Sequence, residues 1–241
     1  MTNDEFGAFA KHIADIGSAF YFDPDTLATG KANGLDGFRF YFVGRGGVLG
    51  DVDADVARSA FGYFEPTLFA RMWDSARVIM PVRDGARAYI GCNHALGRAK
   101  LADLDGLDAF CEAAGAVNDA IDPTGLALYA GVAAEPLPSD APARAVHLAM
   151  VLREARGSTH LLAIVASGLA PRIAHQIRRP DDLALFGWSE PVDYGDDDRA
   201  KWEAAEALTN DLLASAFAVL DDAGERALLD GAAAMHAALK G

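Results

Sequence analysis

Apolar side chains recur at helical spacing along most of the chain. In the first twenty residues, apolar positions follow one another every three or four residues, from Phe6 to Phe20, which predicts an amphipathic helix over residues 3–20. The same periodicity, with Pro or Asp at several candidate helix starts, predicts more helices. They cover residues 24–33, 54–60, 66–78, 81–103, 107–121, 143–152, 171–179, 199–219 and 223–240, and residues 126–134 form a helix or a short extended piece. Few segments alternate as strands do, so the predicted fold class is mainly α, a multi-helix fold with little β-structure.

Three segments depart from the helical pattern. Residues 38–43 are rich in aromatic side chains, which favours a strand, but they lack the clean alternation that would exclude a helix. Residues 44–50 contain four glycines, and this density predicts a loop. The aspartates at 196–198 predict an acidic loop before the last two helices.

A proline-rich stretch divides the chain. Pro136, Pro138 and Pro142 lie among small and acidic residues, a composition typical of a linker. We therefore predict an aromatic-rich N-terminal helical domain over residues 1–135 and a C-terminal helical domain over residues 143–241, packed as one unit. A chain of 241 residues can bury a sufficient core without disulfides or structural metals.

The net charge limits the classes of partner that we expect, and the cysteine content indicates the cellular compartment. The net charge of −14 gives no general attraction for nucleic-acid phosphates or anionic lipid, so we expect neither nucleic acid nor a membrane as a partner. The two widely spaced cysteines, Cys92 and Cys111, suit a reducing compartment. The N-terminus lacks a signal-peptide pattern and no apolar stretch is long enough to span a membrane, so we expect a cytoplasmic protein.

The most unusual segment carries four ionisable side chains between two apolar runs. They are Arg153, Glu154, Arg156 and His160. Buried ionisable groups must be paired, so this cluster is either an ion-pair network between helices or a functional site. In a continuous helix, Arg156 and His160 share a face and Glu154 points elsewhere, whereas a break at Gly157 would bring Glu154 towards His160.

If the cluster is a site, His160 and Glu154 are its candidate catalytic residues. His160 would act as an acid or base, or as a hydrogen-bond partner of a ligand, and Glu154 would orient it. Arg153 and Arg156 are candidate ligand-binding residues, because a guanidinium binds carboxylate or phosphate in a bidentate manner.

A second candidate group lies in the aromatic-rich first half. Tyr41, Arg45, Tyr63 and Trp73 occur among six phenylalanines between residues 38 and 69. This composition indicates either plain core or an aromatic pocket in which Arg45 anchors an anion and Tyr41 and Tyr63 contact the ligand. No nucleotide-binding, zinc-protease or serine-hydrolase motif occurs, and the histidine spacing predicts no metal site. The sequence identifies no cofactor.

Three stretches carry a family resemblance. The first is Arg39-Phe40-Tyr41-Phe42-Val43-Gly44-Arg45, Val48-Leu49-Gly50 and Ala60-Phe61-Gly62-Tyr63-Phe64-Glu65-Pro66; the second is Leu152-Arg153-Glu154-Ala155-Arg156-Gly157-Ser158-Thr159-His160 with Gly168-Leu169; the third is Glu206-Ala207-Leu208-Thr209-Asn210. Together they resemble a poorly characterised actinobacterial family, labelled helix-turn-helix or winged-helix, that is similar to multiple-antibiotic-resistance-type regulators.

The resemblance spans about residues 35–215 and implies winged-helix-like ancestry, with a recognition helix and a wing late in the chain. It also implies that the polar core carries over onto Tyr41, Arg45, Arg153, Glu154, Arg156 and His160. Two features depart from the family. The segment from Pro191 to Trp202 is short and acidic, so the wing region is reduced, and Ala155 stands where the family has a second histidine.

These observations favour a small-molecule-binding protein, of which a metal-free enzyme is one form. The alternative is a winged-helix-type transcription regulator, for which the only local basic run is Arg172, His175, Arg178 and Arg179. A scaffold without a ligand is a third hypothesis. The apolar residues Leu212, Leu213, Phe217 and Leu220 predict a homodimer through the last two helices.

Overall fold

Helices dominate the computed structural model, which describes residues 2–240. The α-helices are α1 (Asn3–Ser18), α2 (Pro24–Ala32), α3 (Gly37–Gly46), α4 (Ala54–Phe61), α5 (Pro66–Ile79), α6 (Val82–Lys100), α7 (Leu107–Ala120), α8 (Ala127–Ala133), α9 (Ala141–Ala166), α10 (Pro171–Arg178), α11 (Asp196–Phe217) and α12 (Asp222–Lys240). Short 3-10 turns at Gly47–Leu49 and Pro180–Asp182 follow α3 and α10. Residues 2–240 contain no β-strand, which confirms the mainly α class.

Acidic side chains and prolines mark the helix starts; α5 begins at the predicted residue, and α9 begins two residues before the predicted one. Glu65 accepts hydrogen bonds from the backbone N–H groups of Thr67 and Leu68, and Pro66 follows it in the first turn of α5. Asp140 caps α9 in the same way. These contacts satisfy N–H groups that have no partner inside the helix, and proline has no N–H to leave unpaired there. Within the described chain, no helix combines the length and apolarity needed to cross a bilayer.

The glycine-rich segment after residue 43 is not the predicted loop. Gly44 and Gly46 lie in α3, together with the aromatic run before them, and Gly47 begins the following 3-10 turn. A Cβ atom at Gly44 would overlap the ring of Tyr89, and one at Gly47 would overlap the backbone carbonyl of Val82. These glycines allow α3 and the turn to pack closely on α6, so they serve packing and not chain reversal.

Two other predicted boundaries are corrected. Asp196–Asp198 form the first turn of α11 and not an acidic loop, because negative side chains are favourable at a helix N-terminus. The side chain of Asp198 also accepts a hydrogen bond from the N–H of Gly195. The long helix α9 continues from residue 141 to 166 without a break at Gly157.

Helix α9 is the central element, and it packs against α1, α6, α7, α8, α10 and α11. On one side an aromatic core that includes Phe42, Phe69 and Trp73 fills the space between α3, α4, α5 and α6. On the other side α1, α7, α9, α11 and α12 form a second core, with Phe110 and Met235 at its centre. This second core combines helices from both sides of the predicted linker, and the division into two domains stays a prediction.

The apolar residues that predicted a homodimer pack mostly within the chain. Leu213 is buried, Phe217 contacts the rings of Phe6 and Phe9 at 5.1 and 5.7 Å, and Leu220 packs against the second core. Leu212 is exposed. The apolar pattern of α11 is therefore accounted for by intrachain packing, and dimerisation stays a prediction.

A pair of glycine substitutions tests the packing role of the glycine-rich segment. We expect Gly44→Ala to lower the free energy of unfolding by about 1–3 kcal/mol, because the new methyl group overlaps Tyr89 in a filled core. Gly91→Ala is the control. Gly91 lies on the exposed side of α6 with open space around it, so alanine there should raise the free energy of unfolding by about 0.5–1 kcal/mol. Urea unfolding measures both, and effects of the same sign and size would contradict the packing role.

Candidate functional site

A partly open cavity of about 220 Å³ lies along α9 and is also lined by residues of α1, α3, α4, α10 and α11. Phe61, Phe64 and Phe186 contribute to its apolar wall. The predicted ligand-binding residues Tyr41, Arg45, Tyr63, Arg153 and Arg156 all line the cavity, as does His160. The structure therefore brings together the two groups of candidate residues that lie about a hundred positions apart in the sequence. Glu154 is buried behind the wall.

Glu154 is the centre of a buried ion cluster. Arg45 donates two hydrogen bonds to it, from Nε to Oε1 at 2.9 Å and from Nη2 to Oε2 at 2.8 Å. Arg153 donates from Nη1 to Oε1 at 2.6 Å, and the hydroxyl of Tyr21 donates to the same oxygen at 3.1 Å. Both carboxylate oxygens are occupied, so Glu154 holds the two arginines in fixed positions. Arg45 also donates to the hydroxyl of Tyr41 at 3.1 Å.

The ion cluster keeps Glu154 charged. Burial alone would raise the pKa of its carboxyl, but the charges of Arg45 and Arg153, with hydrogen bonds from Arg45 and Tyr21, outweigh burial and lower the pKa to about 2. Aromatic faces support the cations, because the guanidinium of Arg45 lies 4.6 Å from the ring centre of Phe61 and that of Arg153 lies 4.9 Å from that of Tyr21. The carboxylate is therefore ionised throughout the neutral range.

Tyr21 is a member of the cluster that sequence reasoning missed. Its hydroxyl also accepts a hydrogen bond from Nη1 of Arg153 at 2.8 Å, and its backbone carbonyl accepts one from the hydroxyl of Tyr89 at 3.1 Å. The sequence signal was a tyrosine that follows the apolar stripe of α1, where a polar tip needs a buried partner.

Glu154 does not orient His160, in contrast to the role predicted for it. Because α9 is continuous, the two side chains point in different directions, and Glu206 of α11 takes the place beside the imidazole. Oε1 of Glu206 lies 3.6 Å from Nε2 of His160, and its Oε2 accepts a hydrogen bond from Nη2 of Arg156 at 2.7 Å. Glu206 belonged to the third stretch of family resemblance but was given no role there.

The imidazole of His160 is neutral in the neutral pH range. Burial is the largest influence and lowers its pKa, Glu206 opposes this, and Arg156 and Arg178 add to the lowering, which brings the pKa to about 4. On the other side of the ring, Nδ1 lies 3.0 Å from Oγ1 of Thr209. Thr209 lies in the same stretch of family resemblance as Glu206, and the sequence did not reveal its contact with His160.

The basic run of α10 is only partly buried. Arg172, which is half-buried, stacks on Trp188 at 4.4 Å and donates a hydrogen bond to the carbonyl of Glu190. His175 is buried against Phe186, with ring centres 3.9 Å apart, and lines the cavity together with the exposed Arg178 and Arg179. Three members of the only local basic run that the sequence offered for nucleic acid thus lie at the cavity.

Arg178 lies at the exposed rim of the cavity and has no direct partner there. Its guanidinium makes no hydrogen bond or ion pair with another residue in the described part of the chain; partial burial lowers its pKa, and the charge of Glu206 opposes this. Burial raises the pKa of Tyr63 to about 12, although the charge of Arg178 opposes this rise. The phenol therefore remains neutral and can form hydrogen bonds. A cation without a partner attracts an anionic ligand.

The cavity is positive although the chain is strongly negative. Its wall contains five arginines and one carboxylate, Asp15, which pairs with His236 and Lys240. Glu154 and Glu206 compensate part of this charge from behind the wall. The remaining positive potential and the phenylalanine surfaces suit a small organic anion. Among residues 2–240 there is no group of three or more His, Cys, Asp or Glu side chains placed to hold a metal ion.

Comparison with known proteins gives one family match. A model described as a helix-turn-helix family matches residues 7–192. This range includes α4, α5, α9 and α10 and therefore most of the cavity wall. No curated protein and no solved structure matches the chain.

Removal of the buried carboxylate tests the ion cluster. We expect Glu154→Gln to lower the free energy of unfolding by about 3–5 kcal/mol, because Arg45 and Arg153 lose their shared counter-charge. Glu203→Gln, on the exposed face of α11, is the matched control and should change it by less than about 0.5 kcal/mol. Denaturant unfolding at pH 7 measures both, and equal effects would contradict the account.

Glu154→Gln also tests how the free energy of unfolding depends on pH. The folded-state pKa of Glu154 lies below its ordinary value of 4.5, so its stabilising contribution is complete above that pH and is lost as the pH falls towards about 2. The stability difference between the parent protein and Glu154→Gln should therefore shrink across that window. A difference that stays constant from neutral pH to pH 2.5 would exclude this linkage.

Proposed function

The chain belongs to a helix-turn-helix family, and we propose on that premise that it is a transcription regulator whose arginine-lined cavity binds a small organic anion. Membership of such a family is typical of DNA-binding regulators, so it favours this proposal over a small-molecule-binding protein that has no DNA partner. The observation that carries the ligand half is the guanidinium of Arg178, which lies at the rim of an aromatic cavity and has no hydrogen-bond or ion-pair partner among the described residues.

The cavity dimensions support a ligand of about one ring. A cavity of about 150 Å³ is sufficient for benzene, and this one holds about 220 Å³. Phe61, Phe64 and Phe186 offer flat apolar surfaces, while Arg178 and Tyr63 offer polar contacts. We propose that Tyr41, Arg45, Arg153 and Arg156 complete the ligand surface, as predicted from the sequence. Because both carboxylate oxygens of Glu154 are occupied, it acts as a positioning residue for the two arginines.

The DNA-reading element that we propose is the pair of helices α4 and α5. They are joined by residues 62–65, a four-residue connection in which Gly62 has a φ of +80°, and this resembles the turn of a helix-turn-helix motif. Helix α5 exposes Thr67, Arg71 and Asp74 on its outer face. The connection before α10 has the same length, but Arg172 of α10 is held by Trp188 and the carbonyl of Glu190 and Arg178 lies at the cavity, so α5 is the better candidate.

The connection between α4 and α5 also supports a link between ligand and DNA. Tyr63 and Phe64 lie in this connection and line the cavity. The carbonyl of Tyr63 accepts a hydrogen bond from Trp188, and the N–H of Glu65 donates to the carbonyl of Phe186, a further wall residue. A ligand that contacts these aromatic side chains would favour one arrangement of α4 and α5 over another.

The proposal replaces the expectation that nucleic acid is not a partner. A net charge of −14 opposes long-range attraction to DNA, so binding should be confined to a local contact and should depend steeply on salt. The proposal keeps five further expectations from the sequence. They are a cytoplasmic location, a homodimer, an actinobacterial origin, similarity to multiple-antibiotic-resistance-type regulators, and a reduced wing region.

Benzoate and benzyl alcohol form a matched pair of probes for the ligand half. They share one ring, but only benzoate is anionic at neutral pH. We expect titration calorimetry to detect benzoate binding and to find benzyl alcohol at least about tenfold weaker, because the charge of Arg178 is then unused. Arg178→Gln should weaken benzoate binding by a similar factor, and the exposed Arg87→Gln should leave it unchanged. Equal affinity for the two probes, or no binding of benzoate, would refute the anion site.

A gel shift with DNA from around the gene tests the regulator half. We expect binding at low salt that weakens as salt is raised. Arg71→Glu on the exposed face of α5 should weaken it and reduce the salt dependence by about one phosphate contact. Arg226→Glu makes the same charge change on the exposed surface of α12 and should have little effect. Absence of any shift at low salt, or equal effects of the two variants, would exclude α5 as the reader.

A further inference from the structure

The imidazole of His160 is held in one tautomer by a chain of hydrogen bonds. Thr209 has a single hydroxyl proton, and its Oγ1 lies 2.6 Å from the carbonyl oxygen of Ala205, one helical turn earlier. The proton belongs to this shorter contact, because a carbonyl oxygen can only accept. Nδ1 of His160, 3.0 Å from the same hydroxyl oxygen, must then donate to it. We assign the ring proton to Nδ1 on this ground.

This assignment leaves Nε2 of His160 as a base at the cavity wall. A neutral imidazole has one N–H, so the other nitrogen carries a lone pair. The nearest charged group to Nε2 is Oε1 of Glu206, 3.6 Å away, which has no proton to donate as a carboxylate. The other oxygen of Glu206 is held by Arg156. Nε2 therefore needs a hydrogen-bond donor that the surrounding side chains do not supply.

Three buried polar atoms of other lining residues also have no partner among the described side chains. They are Nε2 of His175, Oγ of Ser158 and Nε of Arg156. His175 is 6% exposed, so bulk water does not solvate it freely. Buried polar atoms in native proteins are rarely left without a protein, water or ligand partner, so these atoms add polar contacts that a ligand with hydrogen-bonding groups can use.

From these contacts we propose that the ligand is a hydroxylated aromatic acid. Its carboxylate binds Arg178, its ring packs among Phe61, Phe64 and Phe186, and its hydroxyl donates a hydrogen bond to Nε2 of His160. The inference rests on the proposed function, since it specifies the anion that this cavity takes. A ligand with only acceptor groups would place lone pairs against the lone pair of Nε2, and the site would discriminate against it.

Binding of 4-hydroxybenzoate, 3-hydroxybenzoate and benzoate to the full chain tests the donor requirement. We expect calorimetry to give at least one hydroxybenzoate about five- to tenfold higher affinity than benzoate, the effect of one buried hydrogen bond. In His160→Phe, which keeps a ring of similar shape but removes the acceptor, the preference should fall to within about twofold while benzoate still binds. Thr209→Val, which removes the group that fixes the tautomer, should also reduce the preference.

The outcomes separate this inference from the proposed function. If benzoate binds and neither hydroxybenzoate binds more tightly, the donor requirement is overturned and the anion site stands. If none of the three acids binds, both are overturned. Should either variant fail to fold, the comparison in the parent protein still decides.

Nitrogen NMR of the parent protein tests the tautomer independently. With ¹⁵N-labelled histidine, and His160→Phe to assign the signal, we expect Nδ1 protonated and Nε2 unprotonated at pH 7. Addition of the preferred hydroxybenzoate should shift the Nε2 resonance more than the Nδ1 resonance. A proton on Nε2 in the free protein, or an unchanged Nε2 resonance at saturation with the acid, would overturn the proposal.

Discussion

The pairing of Glu154 with Arg45 and Arg153 is the constraint on which the cavity depends. A carboxylate buried in the central helix is tolerated only with full compensation, and two guanidinium groups and the Tyr21 hydroxyl supply it. The cluster joins α3 and the segment after α1 to α9. The cluster also contributes to the positive charge of the cavity, because the single negative charge of Glu154 is shared by two positively charged arginines. Arg45 also lies over the ring of Phe61, so the cluster connects α3 to the aromatic wall.

Sequence periodicity predicted most helices, and the clustered ionisable and aromatic side chains identified six residues that line the cavity. Prediction from the sequence was wrong where one residue type can serve two structural roles. Gly44 and Gly47 allow close packing against Tyr89 and Val82, and glycine content alone does not separate that from a loop. Asp196–Asp198 favour a helix start as much as a loop. Glu154 was assigned to His160 because the two are near in sequence, whereas the partner, Glu206, comes from a helix whose position only the tertiary packing defines.

The two halves of the proposed function meet at one short connection. Residues 62–65 connect α4 to α5, and two of them, Tyr63 and Phe64, line the cavity. A regulator needs such an element, whose arrangement a ligand can favour and on which the DNA-reading helix depends. The acidic chain and the positive cavity are compatible, because the arginines of α9 and Arg178 of α10 lie at the cavity and not on the proposed DNA-reading helix.

The central claim is that the cavity along α9 is an anion site with Arg178 as its anchor. A crystal structure determined with benzoate tests it most directly. We expect one benzoate among Phe61, Phe64 and Phe186, with its carboxylate within hydrogen-bond distance of the Arg178 guanidinium. A structure at saturating benzoate in which this cavity holds only water, or in which the acid lies elsewhere on the protein, would contradict it.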